Sequence, residues 1–335
     1  MSRLRAAVIG LGVGRRHIAG FRAHAHCEVV AACDLSEQAL AETKREFPEI
    51  KTLTRQAQDV LADPTIDVVS IATYDDCHSA QTSEALRRGK HVFVEKPLCL
   101  RPDEAAEIRG LLTARPQLRL SSNLILRMSP RFRRLKHDIV EGRMGRVYSL
   151  DGDYNYGRLH KITDGWRGRI PYYSVVYGGA VHLIDLMRWL IGDEVEAVSA
   201  CGNQIASAGS QYKFNDCVAA LLRFRGGAIA KVTSNYGCVM PHFHALTVYG
   251  TKATFVNGMD TAVLFEQADG GQKASTLTEP YPGVDKSELA YNFIDAIAGG
   301  GPQAVTADDV FNTMAVCFAV EQAATRNDWV TVKGL

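Results

Sequence analysis

"VIGLGVGRRH", residues 8–17, decides the fold. An apolar run enters it, glycines at 10, 12 and 14 interrupt it, and a helix-forming stretch leaves it. A glycine-rich turn between a strand and a helix brings backbone N–H groups and the helix N-terminus against a pyrophosphate, the context that a dinucleotide fingerprint requires. The spacing is one residue shorter than G-x-G-x-x-G, and such a turn by itself can be nothing more than a turn. Asp34 strengthens it, because it ends the apolar run "VVAACD" 20 residues beyond Gly14. There an acidic side chain would hydrogen-bond the hydroxyls of an adenosine ribose and repel a 2′-phosphate. NAD is therefore favoured, with NADP as the alternative.

Outward from this turn, short apolar runs alternate with helical patterns. "EVVAACD" leads to a helix capped by Ser36, "DVVSIAT" to a helix ending at Gly89, and "HVFVEKP" to "PDEAAEIRGLLTAR", with Pro102 suited to a first helical turn. This pattern predicts βαβ units around a parallel sheet, a Rossmann-type domain over residues 1–122. After "RLSSNLI" and the helix "PRFRRLKHDIVEG", whose "RFRRLK" reads as a solvated face, alternating strands take over: "RVYSLDGDYN", "EVEAVSACG", the hairpin "AALLRFRGGAIAKVTS", "HALTVYGTKATFVN" and "AVLFEQADGG". Two helices, "KSELAYNFIDAIAGG" and "ADDVFNTMAVCFAVEQAATR", follow. Residues 123–335 thus read as an α+β domain with a mostly antiparallel, open sheet.

The bulk properties narrow the function. A chain of 335 residues with 46% hydrophobic and 22% charged residues can bury two cores. Its net charge of +1 argues against a dedicated nucleic-acid or membrane-surface binder. The absence of a long apolar run or a signal-like start leads to an expectation of a cytoplasmic protein. Eight cysteines without a C-x-x-C pair suggest reduced thiols, and "HAHC" at 24–27 lacks a second ligand cluster, so no metal is expected.

Two further constellations carry chemistry. "HVFVEKPLCL", residues 91–100, ends a core strand with Glu95, Lys96 and Pro97 side by side. An ammonium placed where an alkoxide develops stabilises that charge, and burial can lower its pKa. In "GGAVHLIDLMRWLIG", His182, Asp185 and Trp189 share one face of an otherwise apolar helix, so the polar pair needs partners.

Together "GLGVGRRH", "ATYDDCHSAQTSEALRRGKHVFVEKP" and "YGGAVHLIDLMRWLIG" resemble the glucose-fructose oxidoreductase/inositol dehydrogenase (Gfo/Idh/MocA) family, with the likeness running to the closing "WVTV". The resemblance implies that Gly10, Gly12, Val13, Gly14 and Asp34 bind the cofactor, with Thr73, Tyr74, His78, Glu95, Lys96 and Pro97 lining its site. It implies that Lys96 reaches the reacting oxygen, with Pro97 commonly preceded by a cis bond. His182 would be the catalytic histidine, and a position near a helix N-terminus would favour its neutral form. Asn123, Arg127, Trp166 and Arg167 would meet the substrate. The chain departs from the pattern at Gly178, where many members carry an aspartate; Tyr177 is a candidate replacement and Asp185 matches a second acidic position.

What the resemblance implies is an NAD(P)-dependent dehydrogenase acting on a secondary hydroxyl of a sugar, polyol or nucleotide-linked sugar. Relatives form dimers or tetramers through the open sheet. Two rival functions stand beside this one: a family glycosidase that recycles bound NAD, and a non-catalytic NAD(P)-binding sensor suggested by Gly178.

Overall fold

The computed structural model describes residues 3–266, 274–281 and 286–335. Its contacts divide the chain into two compact units, Met1–Ile125 with Asp285–Phe311 and Leu335, and Leu126–Val284 with Asn312–Gly334.

In the first unit the alternation is β1 (Leu4–Ile9), α1 (Gly14–Ala23), β2 (Cys27–Cys33), α2 (Glu37–Glu46), β3 (Thr52–Thr54), α3 (Ala57–Ala62), β4 (Val68–Ile71), α4 (His78–Arg87), β5 (His91–Val94), α5 (Pro102–Thr113) and β6 (Leu120–Ser122). The strands form one parallel sheet in the order β3-β2-β1-β4-β5-β6. Every residue of β4 is buried, as expected for a parallel strand with both faces covered. Helix starts follow side-chain chemistry: the Ser36 hydroxyl accepts the Ala39 N–H at 3.2 Å, and Glu104 accepts the N–H groups of Leu100 and Arg101 ahead of Pro102. The order reverses between β1 and β4, the switch point beside which an open α/β sheet has its ligand crevice.

The second unit contains α6 (Pro130–Val140), β7 (Val147–Asn155), α7 (His160–Thr163), α8 (Val181–Ile191) and strands β8 (Val195–Asn203), β9 (Cys217–Phe224), β10 (Ile229–Asn235), β11 (Phe243–Gly250), β12 (Thr254–Asn257), β13 (Ala262–Phe265) and β14 (Ala274–Leu277). The chain then adds α9 (Ser287–Ile297), α10 (Ala307–Arg326) and β15 (Val330–Thr331). The nine-stranded sheet runs β14-β13-β12-β11-β7-β10-β9-β8-β15 and is antiparallel except where β10 pairs with β7. α8 lies so close to β7 that a Cβ at Gly152 would collide with the Met187 side chain. The opposite face shows Tyr148, Leu221 and Ile229 half exposed.

Two of these features were not anticipated. β3 has only three residues, too few for periodicity to register. α9 groups with the first unit: its Ser287 carbonyl approaches Gly20 too closely for a Cβ, and Phe293 meets Phe93 with ring centroids 5.7 Å apart. Part of the expected strand in "AVLFEQADGG" lies outside the described residues. Among the described residues no helix is long and apolar enough to cross a membrane.

The expectation of a solvated "RFRRLK" face is corrected at Arg131, which is fully buried. Its guanidinium donates to the Asn257 side chain at 2.8 Å and to the carbonyls of Gly258, Asp260 and Glu279 at 2.7, 2.6 and 3.0 Å. A planar five-donor fork is the group that can satisfy four acceptors converging on one point. Arg131→Met leaves those acceptors buried and unpaired, and should lower stability by about 3 kcal/mol or more. A urea titration checks this against Arg133→Met at the exposed neighbour, which should be close to neutral.

Candidate functional site

The glycine turn is built by close approach. Gly10 has φ +90°, and a Cβ there would collide with the Ala72 carbonyl at the end of β4; at Gly14 it would lie 2.7 Å from a Val8 methyl. Over Gly12 nothing lies within 4 Å of such a Cβ, so bare backbone faces open space ahead of α1. Val13 occupies the N-cap of α1 and supplies no side-chain cap. Asp34, just past β2, accepts the Leu11 N–H at 2.7 Å through Oδ2 and the Ser36 N–H at 2.8 Å through Oδ1. Each carboxylate oxygen retains further acceptor capacity. An open glycine concavity, an uncapped helix start and an adjacent carboxylate fit a dinucleotide.

The E-K-P segment leaves β5 two strands away in the same sheet. The Lys96–Pro97 bond is cis. His78 is buried, with Nδ1 2.6 Å from the Pro97 carbonyl oxygen and Nε2 3.2 Å from that of Thr73. It therefore ties the Thr73 loop to the turn after Lys96. The Thr73 hydroxyl donates to Gln81, and Tyr74 is half exposed beside it. The Glu95 carboxylate accepts from the Asn123 amide at 2.6 Å, and His17 Nε2 lies 3.3 Å from the same oxygen. Burial alone would raise the Glu95 carboxyl, but the hydrogen bond and charge of His17, with the charges of Lys286 and Lys96, outweigh it and hold the group at about 2.

In the second unit His182 lies on α8, close to the rings of Tyr154 (6.3 Å, stacked) and His244 (5.7 Å, edge-on). The helix does not begin there. A π-helical turn, Val176–Ala180, precedes α8, and the Ser174 hydroxyl accepts the N–H groups of Val176 and Tyr177. His182 is thus about two turns from the start, beyond the reach of the end charges expected to favour its neutral form. Asp185 is fully buried and receives a two-pronged hydrogen bond from Arg127, Nε to Oδ2 at 2.9 Å and Nη2 to Oδ1 at 2.6 Å, plus the Thr313 hydroxyl at 3.2 Å. Two residues expected in separate roles are therefore each other's partners.

Position 178 is filled from elsewhere. A Cβ on Gly178 would run into the Tyr173 hydroxyl and lie 2.6 Å from that of Tyr236, and these hydroxyls are 2.9 Å apart. Arg167 donates to the Tyr173 hydroxyl at 3.2 Å and lies 4.5 Å from the centroid of the Trp166 ring. Tyr177 instead packs edge-on against Tyr172 and Phe318, where burial pushes its hydroxyl far up.

Sequence reasoning passed over His17, Ser70, Tyr154, Tyr173 and Tyr236. His17 stood inside a quoted motif, yet its partners come from three other strands, which no local pattern reports.

The Glu95 shift sets a pH dependence. Its folded-state value of about 2 lies below the ordinary 4.5, so its stabilising effect is complete above 4.5 and disappears as pH falls from 4.5 towards 2. Glu95→Gln should cost roughly 3 kcal/mol at neutral pH, with the difference from the natural chain shrinking across that acid window; urea unfolding at a series of pH values reads both. A constant difference down to the lowest pH would contradict it.

Comparison with known proteins places these units. Residues 4–121 match the model "Oxidoreductase family, NAD-binding Rossmann fold", and residues 132–256 match the GFO/IDH/MocA C-terminal domain. Myo-inositol 2-dehydrogenase of Thermotoga maritima is 27% identical, covering 91% of this chain and 92% of its own. The 1,5-anhydro-D-fructose reductase of Ensifer adhaerens is 29% identical, covering 89% of each. Among solved structures, levoglucosan dehydrogenase in complex with NADH superposes with a TM-score of 0.87 over 100% of both chains at 23% identity, a likeness of fold. With both units matched along most of its length, the chain belongs to the Gfo/Idh/MocA family of oxidoreductases, whose N-terminal domain is an NAD-binding Rossmann fold.

Proposed function

We propose that this NAD-dependent oxidoreductase interconverts a secondary hydroxyl and its ketone on a sugar, polyol or nucleotide-linked sugar, with Lys96 and His182 in proton transfer. The observation that carries this is the coexistence, along one sheet edge, of the open glycine concavity with Asp34 and of Lys96 on its pinned turn. Relatives named for myo-inositol, 1,5-anhydro-D-fructose and levoglucosan support the substrate class.

The backbone at Gly10, Gly12, Val13 and Gly14 would hold the pyrophosphate, and Asp34 the adenosine ribose. Thr73, Tyr74, His78, Glu95 and Pro97 would form the rest of the cofactor wall. The bound nicotinamide would supply hydride acceptance or donation at its C4 carbon. Lys96 would donate to the reacting oxygen and offset the charge that builds there, and His182 would take up or return the proton. Asp185, locked by Arg127, would hold α8 and so the bearing of His182. Trp166 would offer an aromatic face to a sugar ring and Arg167 a polar contact. Asn123, expected to meet the substrate, is buried with its amide on Glu95 and would act behind the site.

Gly178 motivated the sensor alternative. Its place is occupied by the Tyr173 and Tyr236 hydroxyls, neutral hydrogen-bonding groups in place of a carboxylate, which favours a retained polar site over a lost one.

Lys96→Met should leave NADH affinity by fluorescence titration near that of the natural chain. It should lower turnover of whichever of myo-inositol, levoglucosan or 1,5-anhydro-D-fructose reacts fastest by roughly a hundredfold or more. Undiminished turnover would remove Lys96 from the reaction.

The half-exposed apolar face of the nine-stranded sheet supports a homodimer or homotetramer formed through it. Light scattering should report a multiple of the 36.7 kDa chain, reduced by Leu221→Arg on that face. A monomer in the natural protein would refute this assembly.

A further inference from the structure

His17 is completely buried and yet joins polar groups from across the parallel sheet. Its Nδ1 lies 2.8 Å from the Ser70 hydroxyl on β4, and its Nε2 lies 3.3 Å from the Glu95 carboxylate after β5, where the Asn123 amide after β6 donates to the same oxygen at 2.6 Å. The Phe93 ring closes against it edge-on at 5.0 Å. Nε2 faces the Glu95 carboxylate as its donor, and Nδ1 shares a hydrogen bond with the Ser70 hydroxyl, in which either atom can be the donor.

Serine, histidine and carboxylate in a row have the composition of a hydrolytic triad. Ser70 and His17 are both sealed from solvent at 0% exposure, so no scissile bond can reach the hydroxyl. The chain of contacts ends elsewhere. The second Glu95 oxygen, Oε2, accepts the backbone N–H of Lys96 at 3.3 Å. The carboxylate thus grips the Lys96 peptide with one oxygen while Asn123 and His17 hold the other.

We propose that His17 is a positioning residue for Lys96, acting through the Glu95 carboxylate. This rests on the reading of Lys96 as the group that meets the substrate oxygen. His17 sits on the first turn of α1, directly behind the glycine concavity, and Glu95 is rooted at the end of β5. Without the imidazole, one of the two groups on Oε1 is gone and the carboxylate is freer to rotate or take up a proton. Lys96 then loses a fixed backbone anchor and the nearby negative charge that favours its ammonium form.

The test needs no turnover. Trace acetylation of the full chain with acetic anhydride across a pH series, read by mass spectrometry, gives the titration midpoint of Lys96, with exposed Lys51 as the internal control. His17→Leu should lower the Lys96 midpoint by roughly half a pH unit or more, towards that of Glu95→Gln, and leave Lys51 in place. His17→Gln, whose amide can still donate, should recover most of the shift. In a Glu95→Gln background, His17→Leu should add nothing, because two residues acting through one link are not additive. If His17→Leu does not fold, Ser70→Ala, which removes the group fixing the ring, should produce a smaller fall in the same direction. An unmoved midpoint, or an equal fall in the Glu95→Gln background, would overturn the proposal. Lys96→Met with undiminished turnover would overturn the catalytic reading and leave this labelling result standing.

Discussion

Gly10 lies against the Ala72 carbonyl at a positive φ, and the first unit is organised by that approach. A side chain at this point would push the β1–α1 turn away from the end of β4. With glycine there, the turn closes, α1 starts behind it, and the concavity over Gly12 opens at the place where the strand order reverses. The same closeness brings α1 down onto the sheet, so that His17 reaches Ser70, Glu95 and Asn123. The cofactor turn and the lysine turn are therefore linked through buried hydrogen bonds as well as through the backbone.

The second unit solves a different problem, which is how to keep charges inside an apolar helix layer. α8 buries His182, Asp185 and Arg188 among leucine, isoleucine and methionine side chains. Asp185 is neutralised by the planar fork of Arg127, and Arg188 makes a similar pair with Glu194 at 2.6 Å. Such pairs contribute less to net stability than to a single arrangement of the helix, since breaking either would strand a buried charge. That arrangement fixes the bearing of His182.

Much of the architecture was legible because strand and helix periods differ and punctuation by Gly10, Ser36, Gly89 and Pro102 falls between them. The parallel half followed from apolar runs alternating with helical patterns, and the antiparallel half from the strand-rich stretch beyond residue 123. What could not be read depended on distant chain segments meeting. Arg131 looks like its neighbours Arg133 and Arg134 until Asn257, Gly258, Asp260 and Glu279 arrive to surround it. Arg127 and Asp185 were each noticed, but nothing local says that residues 58 apart are partners. Gly178 read as a missing group, since the tyrosine hydroxyls that fill its place come from residue 173 and, 63 positions later, residue 236. His182 was expected near a helix N-terminus, but the π-helical turn moves that terminus back to Ser174.

In the proposed reaction hydride moves directly between a carbinol carbon and the cofactor. Incubating the chain with NAD and C-deuterated myo-inositol, followed by a panel of C-deuterated sugars, and then weighing the reduced cofactor by mass spectrometry, tests it most directly. The NADH formed should carry deuterium from at least one member of the panel. Product released without labelled NADH, or no member reacting while NAD binds, would contradict it and turn attention to the glycosidase or the sensor.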